Sequence, residues 1–137
     1  MASISFLDPD EARETWGVWG DANSRGLHDL PTTSWVRQGD WLSVGDWGRA
    51  YNGEVDRSVV PEVIRNASGW VAETKLLLIQ SRKNMIMLLF RDFEKTWENL
   101  MIAFSESSIL IALDRPSGPA FTFTHATGKI LMLEKLI

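Results

Sequence analysis

A chain of 137 residues with 45% hydrophobic and 23% charged residues has the composition of one globular domain, long enough to close a core without staples. It contains no cysteine, which excludes a disulfide scaffold, a thiol nucleophile and cysteine-ligated zinc or iron–sulfur centres. The formal net charge of −4 is unevenly spread: residues 1–70 carry −5, with six Arg and no Lys, whereas residues 71–137 carry +1. Six of the seven Trp also fall in the first stretch, so the chain is tryptophan-rich at one end only.

The opening residues have neither a basic stretch nor an apolar run, and no secretory leader is expected. The longest apolar run, Met85 to Phe90, is six residues, against the roughly 20 that a spanning helix needs. No membrane segment and a cytoplasmic location are therefore expected.

In chain order, Asp8 can cap a helix with Pro9, Asp10 and Glu11 in its first turn. Ala12, Trp16 and Trp19 then share one helical face, up to an end near Gly20. Asp40 is a second candidate cap, with Trp41, Val44, Trp47 and Tyr51 forming a helical stripe behind it. In that stretch Gly39-Asp40-Trp41 recurs as Gly45-Asp46-Trp47. Residues 58–66 predict a third short helix with Pro61 in its first turn.

From residue 74 the pattern changes to strands. They are expected at 74–80, 84–92, 97–105, 108–114 and 120–125, with turns at Ser81–Asn84, Phe93–Thr96 and Arg115–Pro119. The unbroken Met85–Phe90 run marks a strand buried on both faces, and Phe121, Phe123 and His125 alternate onto one face. Period alone leaves residues 129–137 open between a last strand and a short helix. The fold class read from this is α+β: an antiparallel meander of about five strands packed against N-terminal helices. Residues 1–70 would be its helix-and-loop layer and 71–137 its sheet layer, within a single domain.

Catalytic signals are sparse. His28 and His125 lie in no metal or catalytic motif, and His125 reads as a core or rim residue. There is no nucleophile elbow, no Walker loop and no dinucleotide fingerprint. The carboxylate groups Asp8/Asp10/Glu11, Asp40/Asp46 and Glu54/Asp56 read as caps or solvated charges, and Asp8-Pro9-Asp10 lacks the rest of a calcium loop. No catalytic residue, metal or cofactor is expected. Nucleic acid is disfavoured, because Arg82-Lys83 in a turn is the only cluster of cations in an acidic chain.

The tryptophans divide. Trp16, Trp70 and Trp97 read as core. Trp41 and Trp47 each follow an Asp in a glycine-flanked segment, the composition of a surface that meets a basic partner. Leu30-Pro31-Thr32-Thr33-Ser34-Trp35, followed by Gly39-Asp40-Trp41-Leu42 and Trp47-Gly48-Arg49-Ala50, resembles the immunity proteins of bacterial contact-dependent growth inhibition systems. The likeness covers residues 30–110 in order and spacing. It implies an intracellular, non-enzymatic inhibitor of a cognate toxin domain, and it carries over no individual site residue. The expected partner is basic, and the expected contact surface joins Asp40, Trp41, Asp46 and Trp47, with Glu54 and Asp56 at the rim. The rival expectation is a small-molecule binder or enzyme with an apolar pocket lined by Phe121, Phe123, Met85 and Met87 and with His125 at its mouth.

Overall fold

The computed structural model describes residues 4–19, 24–25, 27, 30–31, 34–104, 108–113 and 119–134. In chain order these hold β1 (Ser5–Phe6), α1 (Pro9–Trp19), α2 (Trp35–Gln38), β2 (Leu42–Asp46), α3 (Trp47–Tyr51) and α4 (Val59–Ser68). Then follow β3 (Lys75–Ile79), β4 (Met85–Leu89), α5 (Phe90–Ala103), β5 (Ser108–Ala112), β6 (Ala120–Phe123) and β7 (Lys129–Leu133). The fold is α+β. The strands form one antiparallel sheet in the order β1-β4-β3-β5-β6-β7-β2.

Both faces of this sheet are covered, and the period of two along each strand sorts the side chains between them. Leu76, Leu78, Leu88, Leu110, Phe121, Phe123 and Ile130 pack beneath α3, α4 and α5 with Trp47, Trp70, Phe93 and Trp97. Leu77, Ile79, Met85, Ile109, Ile111 and Leu133 pack on the other face with Ala12 and Trp16 of α1, Leu30, and the half-buried Trp35, Val36 and Trp41. The aliphatic run Leu76–Ile79 is buried throughout because β3 faces both layers.

Several local readings hold. Asp8 Oδ1 accepts from the Asp10 and Glu11 amides at 3.0 and 2.9 Å and starts α1, which turns Ala12 and Trp16 into the core. Pro61 sits in the first turn of α4, and Gly69 closes that helix in the left-handed conformation at φ 75°. Trp16, Trp70 and Trp97 are buried. Of the last segment, left open between strand and helix, Lys129–Leu133 forms a strand, β7.

Other expectations are corrected. There are seven strands among the described residues, not about five. The strand expected at 97–105 is not formed, and Phe93–Thr96 is not a turn: residues 93–103 lie in the helical run of α5, Phe90–Ala103, and Ser105 lies outside the described residues. The physical reason is that Phe90, Phe93, Trp97, Leu100, Met101 and Phe104 recur at helical spacing and are buried, with Arg91 and Lys95 facing outward. Asp40 does not cap a helix. Residues 42–46 are instead β2, paired with β7 through a bulge between Ser43 and Gly45, and the helix begins only at Trp47. Residue 70 consequently does not divide two layers, since β1 and β2 come from the first stretch and α5 from the second. His28, Asp29 and the Arg115–Gly118 part of the expected turn lie outside the described residues.

Candidate functional site

At the point where β2 gives way to α3, Asp46 and two glycines set the geometry. The Asp46 side chain accepts from the Arg49 amide at 3.0 Å and caps α3. Its other oxygen lies 3.3 Å from Lys129 Nζ, the residue opposite it in the β2–β7 register. The Arg49 amide, and after it the Lys129 ammonium, hold the Asp46 carboxyl below its ordinary pKa. The Gly48 amide donates to the Gly128 carbonyl at 3.0 Å. A Cβ on Gly48 would stand 3.2 Å from Gly128 Cα, and Gly128 itself has φ +68°, so both positions favour glycine.

This close approach brings α3, the β6–β7 turn and the end of α5 around an open cleft of about 570 Å³. Its floor is aromatic. Trp47 is 8% exposed and donates its indole N–H to the Thr124 carbonyl at 3.2 Å. The Trp47 ring stands edge-on to His125 at 5.0 Å and to Tyr51 at 6.0 Å, and Tyr51 continues to Trp97 at 6.5 Å. His125 Nε2 lies 3.1 Å from the Met101 carbonyl. A carbonyl only accepts, so Nε2 carries a proton and donates. His125 Nδ1 is buried without a protein partner among the described residues. The walls carry exposed apolar surface: Tyr51 of α3 is 40% exposed and Ile102 of α5 is 63% exposed. Glu54 closes one side, 4.0 Å from Arg49.

The six residues expected to share a contact surface do not form one. Asp46, Trp47 and Glu54 line the cleft. Trp41 belongs to the opposite face of the sheet, where its indole donates to the Val36 carbonyl at 2.9 Å and its ring lies 6.4 Å from Trp35. Asp40, beside it, is exposed. Asp56 is exposed too, and accepts from the Ser58 amide and hydroxyl at 2.9 and 2.8 Å. The amide first, then the hydroxyl, hold its carboxyl below the usual range. Trp47 is a core residue with one edge at the cleft and not a protruding anchor. The strand β2 between the two tryptophans is what separates them.

Tyr51 and Ile102 are the exposed apolar residues of the cleft, and sequence reasoning assigned neither to a site. Ile102 is legible only once α5 is known to be a helix, because it then stands out as an apolar residue among the solvent-facing positions. The apolar pocket expected beside His125 is corrected as well. Phe121 and Phe123 are 0% exposed within the core beneath α5, Met85 faces the other core, and Met87 pairs with Ser5 at the β1 edge. Those four residues do not line the cleft.

No group of three or more His, Asp or Glu among the described residues is placed to hold a metal ion. No helix among them is long and apolar enough to cross a membrane.

Residues 1–129 match the model of the DUF2947 family, described as a protein of unknown function. The chain belongs to the DUF2947 family. The match spans the whole cleft up to Gly128, so α3, the end of α5 and the β6–β7 turn all lie within the DUF2947 region. No curated protein and no solved structure matches this DUF2947 chain.

Proposed function

We infer that this protein is a non-enzymatic, acidic protein-binding domain that works in the cytoplasm as an immunity protein, binding and neutralising a cognate toxin domain through the α3 cleft. The observation that carries this reading is the pairing of exposed Tyr51 and Ile102 across a hollow whose floor is a packed aromatic row. Exposed apolar groups on rigid elements around a recess are the usual form of an interface anchor. The resemblance at residues 30–110 supports the immunity role. His125 supports a non-catalytic reading, because its Nε2 proton is committed to Met101 and its Nδ1 is buried. Asp46 is occupied by α3 and Lys129, and the exposed Glu54, 4.0 Å from Arg49, adds to the net charge of −4 that would steer a basic partner.

The test is co-expression with the protein encoded immediately upstream, with growth and the affinity of the purified pair as readouts. Rescue of growth is expected, together with a tight one-to-one complex. Tyr51→Ala and Ile102→Ala should each weaken it by about 2 kcal/mol or more if they are anchors. Failure of both to weaken a complex that does form removes the cleft from the interface.

A small-molecule reading of the same cleft is favoured by one observation. Its volume of about 570 Å³ lies in the range of roughly 300–1,000 Å³ that ligand pockets occupy. Native mass spectrometry of the purified chain separates the two readings: a retained metabolite, together with no macromolecular partner, would replace the protein-binding reading with this one.

A further inference from the structure

Three stretches distant in the chain meet where β3 turns into β4. The Leu7 amide donates to the Met85 carbonyl at 3.1 Å, the Trp16 indole to the Ser24 carbonyl at 2.9 Å, and the Arg82 amide to the Arg25 carbonyl at 3.2 Å. The turn is held by the Ser81 hydroxyl, which accepts from the Lys83 and Asn84 amides at 3.3 and 3.2 Å. Together these bonds gather Arg13 of α1, Arg25, Arg82 and Lys83 around two adjoining hollows of about 420 and 430 Å³ that share Arg82 and Lys83.

Cations without a paired carboxylate are gathered here, whereas elsewhere among the described residues Lys75 and Lys95 lack one only singly. Arg49, Arg57, Arg65, Arg91 and Lys129 each have a carboxylate within 4.0 Å. Arg13, Arg25, Arg82 and Lys83 have none among the described residues. Asp8 is turned to the α1 amides, and none of Asp8, Asp10, Glu11 and Glu14 around Arg13 lines either hollow. Holding four like charges together in an acidic protein is unfavourable unless an anion neutralises them.

We propose that this end of the sheet binds a small phosphorylated ligand, with Arg82 and Lys83 holding a phosphoryl group where the two hollows meet and Arg13 and Arg25 reaching it from either side. The guanidinium fork matches phosphoryl oxygens in pairs, and the lysine adds a point charge. Leu7 and Pro9 give the first hollow an apolar wall, which a compact organic body can cover. Two hollows that share Arg82 and Lys83, with one further arginine each, suit a ligand of high local charge, such as two linked phosphoryl groups. A long polyanion fits less well, since nucleic-acid binders neutralise roughly 6–10 phosphates and the net charge here is −4. This site shares no element with the α3 cleft and stands independently of the partner bound there.

Isothermal titration of the full chain with pyrophosphate, and separately with inorganic phosphate, tests the proposal at ionic strength matched with chloride. Pyrophosphate should bind more tightly than phosphate. The double variant R82A/K83A should weaken pyrophosphate by about tenfold or more, Arg13→Gln and Arg25→Gln each by severalfold, and Lys95→Ala not at all. Far-UV circular dichroism confirms that each variant is folded; should R82A/K83A unfold, Arg13→Gln on the outer side of α1 carries the test alone. Absence of binding above the chloride control overturns the proposal. Equal loss with Lys95→Ala, or tighter binding of a single-stranded oligonucleotide than of pyrophosphate at the same salt, also overturns it.

Discussion

The same tripeptide occurs twice, six residues apart, and the two copies serve opposite sides of the sheet. Gly39 presses on Leu133, where a Cβ would stand 2.7 Å from both terminal methyls, and Trp41 packs on that same face. A Cβ on Gly45 would stand 3.2 and 3.3 Å from Val63 and Ile130, and Trp47 packs beneath α5. Asp40 is exposed and starts nothing; Asp46 caps α3 and meets Lys129. The bulged strand between the copies, paired to β7, turns identical local chemistry toward two different cores. A tripeptide fixes which contacts its residues can make, and the strand register fixes which they do make.

The largest expected effect breaks this comparison at the tryptophans. Trp47→Ala should cost about 3–5 kcal/mol in urea unfolding, as a buried aromatic does. Trp41→Ala, half-buried, should cost about half as much. Equal losses would mean that the two copies are equivalent after all. Next is Gly128→Ala, which puts a side chain into φ +68° and against Gly48; a loss of about 2 kcal/mol is expected by the same measurement.

The smallest effect separates the aspartates. Asp46→Ala removes the α3 cap and should cost about 1 kcal/mol, whereas Asp40→Ala should stay within about 0.5 kcal/mol. The Asp46 contribution carries a pH signature. Its carboxyl is held below the unfolded value, so the stabilisation is present above about pH 4 and is lost as pH falls through the native value. The gap between the parent chain and Asp46→Ala should therefore narrow between about pH 5 and about pH 2, measured by unfolding at each pH. A gap that widens on acidification would reverse the assignment.

Much of the fold was legible in the sequence, and particular residues show why. Asp8-Pro9 starts α1 as its chemistry suggests, and Thr122 and Thr124 alternate with buried Phe121 and Phe123 along β6 and its end. The errors share one cause. In Met85–Phe93, a strand run and a helix share the apolar stretch, so the helical period beginning at Phe90 is hidden behind the strand that ends at Leu89. In Trp41–Tyr51, the three-residue spacing imitates a helix that strand pairing with β7 overrides. The cleft was legible in part: Asp46, Trp47 and Glu54 line it, but Ile102 comes from the hidden helix and His125 from a turn 78 residues past Trp47. The basic end of the sheet was legible only as Arg82-Lys83, because Arg13 and Arg25 reach it through hydrogen bonds of Trp16 and Arg82 that no local pattern encodes.

On the function proposed above, a partner protein docks on the α3 side and not on the Trp41 side. Hydrogen–deuterium exchange of the chain, alone and with the protein encoded immediately upstream, tests it most directly. Slowed exchange is predicted at residues 47–54, 101–103 and 124–128, with 35–42 unchanged. Slowing confined to 35–42, or none anywhere in a complex that forms, would contradict the account.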